Sequence, residues 1–272
     1  MNSTLHIVIV THNSEKVLEK CLACIDHQAI SPEKIIIVDS GSKSTAYLKP
    51  VEGREEIDVF YCDNIGFAAA NNLGISKISG SPEYVLLMNP DVFMEQNCLA
   101  SAQRLLSTKP EAAMLTAKLK GFDLSLNSPT GLLDSTGVYR KWYGRWFDRG
   151  QGQSDSHRYD SEEFVPAVCG AFMFCRAEVI TKELPELFDE SFYMYKEDID
   201  LSLRLRSKGW KLLYAPEAEA YHCRGWSKDR KTIDKNLRLL ASESEIKLNV
   251  KHHSPYIVWA VCKYLLVRVC NI

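Results

Sequence analysis

The stretch YVLLMNPD, Tyr84–Asp91, joins a wholly apolar run to an asparagine, a proline and an aspartate. The run Tyr84–Met88 reads as a buried strand. Pro90 has no N–H to give to a ladder, so the sheet must end there. The strand thus carries two oxygen-bearing side chains, Asn89 and Asp91, at its carboxyl end. The same order recurs upstream. LHIVIV (5–10) runs into Thr11-His12-Asn13, KIIIVDS (34–40) stops at Asp39 and Ser40, and IDVFYC (57–62) is followed by Asp63-Asn64.

Segments of helical spacing lie between these runs. In 14–28 the apolar positions Val17, Leu18, Cys21, Leu22, Cys24 and Ile25 share one face, and Ser14 is the expected N-cap. Residues 66–78 form a small-residue helix, 96–108 another helix, and 112–117 a fifth strand. Apolar strands alternating with helices predict a mostly parallel sheet covered on both faces. In such sheets ligands bind beyond the carboxyl ends of the strands. Strand ends are therefore where polar residues matter.

Beyond residue 118 the pattern changes. Residues 119–162 read as a long irregular insertion centred on YRKWYGRWFDRG (139–150), and long loops in compact domains often carry function. Further on, 164–179 reads as a strand entering a helix, 197–209 as a helix, 210–216 as a strand, 232–252 as a polar helix and 256–270 as an apolar one. There is no internal repeat.

Bulk properties exclude several classes. The 272 residues suffice for one large α/β domain with an extension. A net charge of −2 gives no global field for nucleic acid, so none is expected as a partner and any anion site must be local. The nine cysteines lack paired spacing; Cys21 and Cys24 lie on one helix face, where packing is the simpler role. Unpaired cysteines and the absence of a secretory pattern point to the cytosol. No clean apolar window of membrane-spanning length occurs, because Lys263 and Arg268 interrupt the C-terminal run.

The residues that can carry chemistry follow from these ends. Asp39 can accept from a base edge or ribose, although Asp-Ser-Gly is equally good turn chemistry. Asn64-Ile65-Gly66 opens a helix whose small residues permit close backbone approach. Asn71 and Asn72 are poor mid-helix residues and need a reason. Asp91 can join a hard divalent cation to phosphate oxygens. Glu197 and Asp198 open a helix beside Tyr193 and Tyr195; they suit the helix dipole and also a general base. Arg204 and Arg206, further along, are candidates to orient them. His222 ends a strand and is a candidate metal ligand, and the basic loop behind it (Arg224, Lys228, Arg230, Lys231) can fold over a diphosphate or be a solvated turn.

In order, VIVTHN, VDSGS, NIGFAAANN, MNPDV, GAFMFCR, EDIDLSLRLRSKGW and HCRGWS…KH resemble the inverting family 2 glycosyltransferases of the GT-A fold, in particular the bacterial rhamnosyltransferases of cell-wall and O-antigen synthesis. The resemblance spans residues 5–253. It implies a Rossmann-like, mostly parallel central sheet flanked by helices, with a C-terminal helical extension. Residues 1–225 would be the catalytic domain, split into a nucleotide-sugar half (1–118) and an acceptor half (119–225), with 226–272 helical.

Residue by residue, the resemblance places Thr11, Asn13, Asp39 and Ser40 on the nucleotide and Asn64, Gly66, Asn71 and Asn89 on the sugar nucleotide. Asp91 and His222 would hold Mg²⁺ or Mn²⁺, and Lys228 and Arg230 the diphosphate. Asp198 would be the catalytic base, with Gly170 and Ala171 on the acceptor side. Beside the resemblance, Glu197 and Trp142 are acceptor candidates from their own surroundings: the aromatic and basic loop 139–150 can stack on sugar rings and hold a diphosphate-linked lipid, or be a packing loop. Asn89 stands where the family's metal motif has its first acid. The implied donor is dTDP-L-rhamnose, with a UDP-linked hexose or N-acetylhexosamine as the alternative donor and a non-catalytic carbohydrate-binding protein as the alternative class. The implied acceptor is a glycan or lipid-linked saccharide. The C-terminal segment from Ser254 resembles an interfacial helix with basic flanks, which would attach the protein peripherally to the inner membrane; a helix docked on the catalytic domain or a homodimer contact are the other readings.

Overall fold

The computed structural model describes residues 4–223 and 234–270. Strands β1 (Leu5–Thr11), β2 (Lys34–Ser40), β3 (Ile57–Cys62) and β4 (Tyr84–Met88) fall on the apolar runs. They pair in parallel in the spatial order β4-β1-β2-β3. Between them run α1 (Leu18–Asp26) and α2 (Phe67–Ser76). After β4 come a short β5 (Val92–Met94) and α3 (Cys98–Ser107). Alternate strand residues face opposite sides of the sheet. Ile7, Ile9 and Ile37 share an apolar cluster with α1 and α3, while Val8, Ile36 and Val38 share another with α2.

Past β4 the sheet continues through β11 (Phe172–Arg176), which lies antiparallel between β4 and β6 (Ala112–Asp123). Strand β12 (Lys211–His222) runs parallel to β6 and carries the short antiparallel β10 (Glu163–Phe164) on its other side. Because β11 opposes both neighbours, β6 and β12 point the same way as β1 and β4. The carboxyl ends of β1, β2, β3, β4 and β12, and the amino end of β11, thus share one edge of the sheet. Helices α4 (Ala177–Lys182) and α5 (Glu197–Ser207) follow β11, and α6 (Lys235–Lys251) and α7 (Ile257–Leu265) close the chain, α7 continuing into a π-helical turn at Leu266–Cys270.

Several expectations need correction. The segment 119–162 is not irregular. β6 extends to Asp123 and pairs with β7 (Ser128–Ser135), and β8 (Val138–Arg140) and β9 (Trp146–Asp148) form a hairpin. These are partly exposed pairs of strands, so their sequence lacks the continuous apolar runs of the central strands. A boundary at residue 118 falls inside β6. Strand β12 does not stop near Pro216: a bulge between Ala215 and Glu219 takes up the proline, which has no N–H to pair, and the strand runs on to His222. Helix α1 begins at Leu18, and Ser14 is not its N-cap; the Ser14 hydroxyl instead accepts from the His12 N–H at 3.2 Å. A buried cation ties the insertion to the sheet. Lys118, 4% exposed, pairs with Asp160 at 2.6 Å and Asp155 at 3.1 Å.

Gly74 shows why α2 is made of small residues. A Cβ there would lie 2.4 Å from Cγ1 of Val8 on the sheet beneath. Val8 is branched and fully buried, so it cannot swing away. Gly74→Ala should therefore destabilise the fold by about 1–3 kcal/mol in urea unfolding, despite the better helix propensity of alanine. Adding Val8→Ala should recover part of that loss rather than deepen it.

Candidate active site

The shared edge gathers the polar residues singled out in the sequence. Asp39, 1% exposed at the end of β2, accepts from Thr11 Oγ1 (3.0 Å), Tyr47 Oη (2.8 Å), Ser42 Oγ (2.6 Å) and the Ser42 N–H (3.0 Å). The β1 and β2 ends are thus locked together through one carboxylate. Asn13 is exposed in left-handed backbone (φ 52°), its Oδ1 accepting from the Lys43 N–H at 2.9 Å. Ser40 Oγ accepts from the Ile65 N–H at 3.2 Å, which brings the Asn64–Gly66 turn against the β2 end.

Gly66 precedes α2 with φ 85°, and a Cβ there would sit 2.5 Å from the Tyr193 carbonyl oxygen. Only glycine fits both conditions. The same carbonyl accepts from the Phe67 N–H at 2.8 Å, and the Tyr193 hydroxyl donates to Asn64 Oδ1 at 2.6 Å. The two mid-helix asparagines now have reasons. Asn72 exchanges two hydrogen bonds with the Phe188 backbone, at 2.8 and 2.9 Å, and so clips α2 to the segment before α5. Asn71 is 2% exposed and donates to the Phe67 carbonyl at 2.9 Å.

At the end of β4, the Asn89 N–H donates to the Ala171 carbonyl at 3.1 Å. Asn89 Oδ1 is buried without a hydrogen-bond partner among the described residues. A buried acceptor of this kind costs about 1–3 kcal/mol unless something else satisfies it. Two residues on, Asp91 Oδ1 lies 3.4 Å from Nε2 of His222, which is 4% exposed. Nδ1 of the same ring lies 2.8 Å from Asp134 Oδ2. Burial alone would lower the imidazole pKa, but the carboxylates of Asp134 and Asp91 outweigh it and push it up to about 9.

This set suits a divalent cation that shares its coordination with a ligand. Nε2 and the Asp91 carboxylate converge, while Asp134 fixes the ring from behind, as a carboxylate does for a metal-bound histidine. Among the described residues no group of three or more His, Cys, Asp or Glu forms a complete cage. Such a cation would take its remaining ligands from phosphate oxygens and water.

The acid pair lies across this edge, at the start of α5. Asp198 is half-buried and its Oδ2 accepts from the Gly170 N–H at 2.9 Å. Tyr195 and Lys196, just before it, are both left-handed (φ 73°), backbone that non-glycine residues adopt at a cost. Burial raises the Asp198 carboxyl against the opposing pull of Lys196 and the Gly170 N–H. Burial also pushes Glu197 up, to about 8, helped by the charge of Asp198. Glu197 Oε2 is buried with no hydrogen-bond partner among the described residues.

Arg204 and Arg206 do not orient this pair. Arg204 binds Asp200 at 2.7 Å and Arg206 the Pro166 carbonyl at 3.2 Å. Asp200, fully buried, also accepts from Lys251 (2.9 Å) and His252 (2.8 Å), so the third acid of this turn joins α5 to α6. Trp142 is 85% exposed, its ring against Tyr143, which contacts Trp259 of α7. Arg224, Lys228, Arg230 and Lys231 lie outside the described residues.

Sequence reasoning missed Asp134 and Tyr47, and it noted Tyr193 only as a neighbour of the acid pair, not as the residue that seats the Asn64–Gly66 turn. Only Asp134 carried a signal: in GLLDSTG it follows an apolar pair and precedes a turn, the same pattern as Asp39.

A family model described as glycosyl transferase family 2 matches residues 6–180. The N-acetylglucosaminyl-diphospho-decaprenol L-rhamnosyltransferase of Mycobacterium tuberculosis is 25% identical over 246 residues, covering 85% of this chain and 79% of its own length. The rhamnosyltransferase WbbL of Escherichia coli is 25% identical over 229 residues, covering 80% and 83%. The structure of GalNAc-T7 with UDP, GalNAc and Mn²⁺ superposes with a TM-score of 0.67 at 15% identity, covering 95% of this chain. The present chain spans only 56% of that enzyme's length. The expected GT-A architecture is borne out by that likeness.

Glu197 gives a pH signature. Its carboxyl is protonated more readily in the folded state than at its ordinary value of 4.5. Its contribution to stability is therefore complete below about 4.5 and is lost as pH rises through about 8. Glu197→Gln should remove that loss. The difference in Tm between variant and parent should move in favour of the variant as thermal melts are taken from pH 5 to pH 9.

Proposed function

The chain belongs to glycosyl transferase family 2 and is a glycosyltransferase, and from that premise we propose that it transfers L-rhamnose from dTDP-L-rhamnose, with inversion, to a hydroxyl of a lipid-linked saccharide. The acceptor reading follows the mycobacterial relative, whose name specifies an N-acetylglucosaminyl-diphospho-lipid. In this reading the enzyme serves cell-surface polysaccharide synthesis and works in the cytoplasm, at the inner face of the membrane that holds such a lipid.

One observation carries the proposal: Asp91 and His222, 131 positions apart in the chain, meet at 3.4 Å on the edge where Asp198 also opens its helix. Thr11, Asn13, Asp39 and Ser40 would hold the nucleoside at the β1 and β2 ends. Asn64, Gly66 and Asn71 would line its sugar-phosphate, with Asn89 Oδ1 taking a hydrogen from a sugar hydroxyl. Lys228 and Arg230 would add positive charge near the diphosphate. Mg²⁺ or Mn²⁺ held by Asp91 and His222 supplies charge neutralisation for the departing nucleoside diphosphate.

The rest is done by the chain itself. Asp198 accepts the proton of the acceptor hydroxyl as that oxygen attacks the anomeric carbon from the face opposite the leaving group. A carboxyl raised by burial is a better base near neutral pH than an exposed aspartate. The Gly170 N–H holds Oδ2 at 2.9 Å and the Ile199 N–H holds Oδ1 at 2.8 Å, so the carboxylate is fixed by two backbone donors and would take the acceptor proton on a remaining lone pair. Gly170 and Ala171 would lie on the acceptor side, and the missing Cβ of Gly170, which would sit 3.1 Å from that of Asp198, leaves the base its place. Neutral Glu197 offers the acceptor a hydrogen-bond donor, and it avoids a second charge beside the base.

Incubation with dTDP-L-rhamnose, Mn²⁺ and an N-acetylglucosaminyl-diphospho-lipid should give a rhamnosylated product with an inverted anomeric centre by NMR. Turnover of a UDP-sugar in its place would overturn the donor assignment, and transfer from no nucleotide sugar would overturn the function. Asp198→Asn should lower kcat by about 10²–10⁴-fold while dTDP binding by calorimetry persists. Asp134→Asn should weaken Mn²⁺ binding by about 10–100-fold, because the imidazole loses its fixed orientation.

A further inference from the structure

Helix α7 is built the wrong way round for a surface helix. Its inward side is made by small or moderate residues, with Ala260 fully buried and Val267 6% exposed in the turn that follows. Val258, Val261, Leu265 and Val269 recur at three- and four-residue intervals on the outward side and are 70%, 39%, 50% and 76% exposed. An unpartnered helix exposing an apolar stripe in water is waiting for a cover.

The stripe does not stop at the helix. Trp259, 38% exposed, contacts Tyr143 with ring centroids 5.3 Å apart, and Tyr143 contacts the protruding Trp142 at 5.4 Å. Arg140 is wedged between Trp146 (5.5 Å) and Tyr256 (4.9 Å), which fixes the β8–β9 tip to the start of α7. Tip and helix therefore form a single aromatic and aliphatic surface.

Its charge identifies the cover. After Glu245 the sequence has no Asp or Glu to its end; Lys251 and Lys263 are paired with Asp200 and Glu245, which leaves Lys247 and Arg268 to offer positive charge. The tip adds Arg140, Lys141 and Arg145. Arg140, Lys141 and Arg268 are exposed. A second copy docked on this face about a two-fold axis would set these cations against their own equivalents. An anionic lipid surface instead offers phosphates to the cations, an interfacial zone to Trp142 and Trp259, and acyl chains to the valine stripe. No helix among the described residues is long and apolar enough to cross a membrane, so α7 lies along the surface.

We propose that the outward face of α7 and the β8–β9 tip form one docking surface for an anionic bilayer, with Trp142 as a membrane anchor rather than an acceptor contact. The proposal rests on the reading of the acceptor as lipid-linked. Docking also orients the site, because α6, on which α7 packs, is bound to α5 through Lys251, His252 and Asp200.

Flotation of the full chain tests it. The protein should rise with phosphatidylglycerol–phosphatidylcholine vesicles, not with phosphatidylcholine alone, and high salt should release it. Val258→Asp and Val269→Asp, both at exposed positions, should each cut vesicle partition by about tenfold or more. Both should leave transfer to a water-soluble short-chain acceptor unchanged. Trp142→Ser should lose vesicle partition to a similar degree. Vesicle binding unaffected by these changes would overturn the proposal. So would an active enzyme that ignores anionic vesicles, or a dimer by light scattering that Val258→Asp dissociates. Loss of transfer to every acceptor with vesicle binding intact would instead overturn the function and leave the surface standing.

Discussion

His222 stands between two carboxylates, and that arrangement sets the terms for the site. Asp134 comes from β7, Asp91 from the turn after β4, and the imidazole from the last position of β12. Three separated pieces of chain must therefore end at one point. The sheet makes this possible because β12 runs parallel to β6 and β11 opposes both β6 and β4. A change of direction in any one of these strands would carry His222 to the far edge. The acid pair depends on the same strand: Gly170, just ahead of β11, holds Asp198 through its N–H.

The central strands were legible because burial on both faces leaves a plain mark, an unbroken apolar run ended by a turn. Tyr84–Met88 and Lys34–Ser40 each match their strand residue for residue. The polar residues at their ends were legible for the same reason, since a side chain that breaks such a run needs an explanation. Where burial is one-sided the mark fades. Residues 128–135 mix Ser, Pro, Thr and Gly with Leu and Asp, and they still form β7 because β6 beside them supplies a complete partner edge. Asp134 was hidden in that strand.

Other features have no local signature. The left-handed Tyr195 and Lys196 occupy a conformation that neither side chain favours, and only the packing around them enforces it. The hydroxyls of Tyr47 and Tyr193 reach partners that are distant in sequence or supplied by another turn. Asp200 reads as an ordinary first-turn acid, yet Arg204, Lys251 and the His252 ring all converge on it. Its cost of burial is offset by those partners, so it is a fixed joint between α5 and the C-terminal pair. This joint gives the C-terminal helices a mechanical link to the helix that Glu197 and Asp198 open.

The late arrival of β11 has a consequence for synthesis. Strands β1 to β4 and their helices are complete once the ribosome has passed Met88, but the free side of β4 has no neighbour until Phe172–Arg176 emerges. During that interval the nascent chain carries a bare, hydrophobic strand edge, the kind of surface that recruits like strands from other chains. Yield in a cell should thus be governed by translation speed between these two segments and by chaperone capacity, more than by the equilibrium stability of the finished fold.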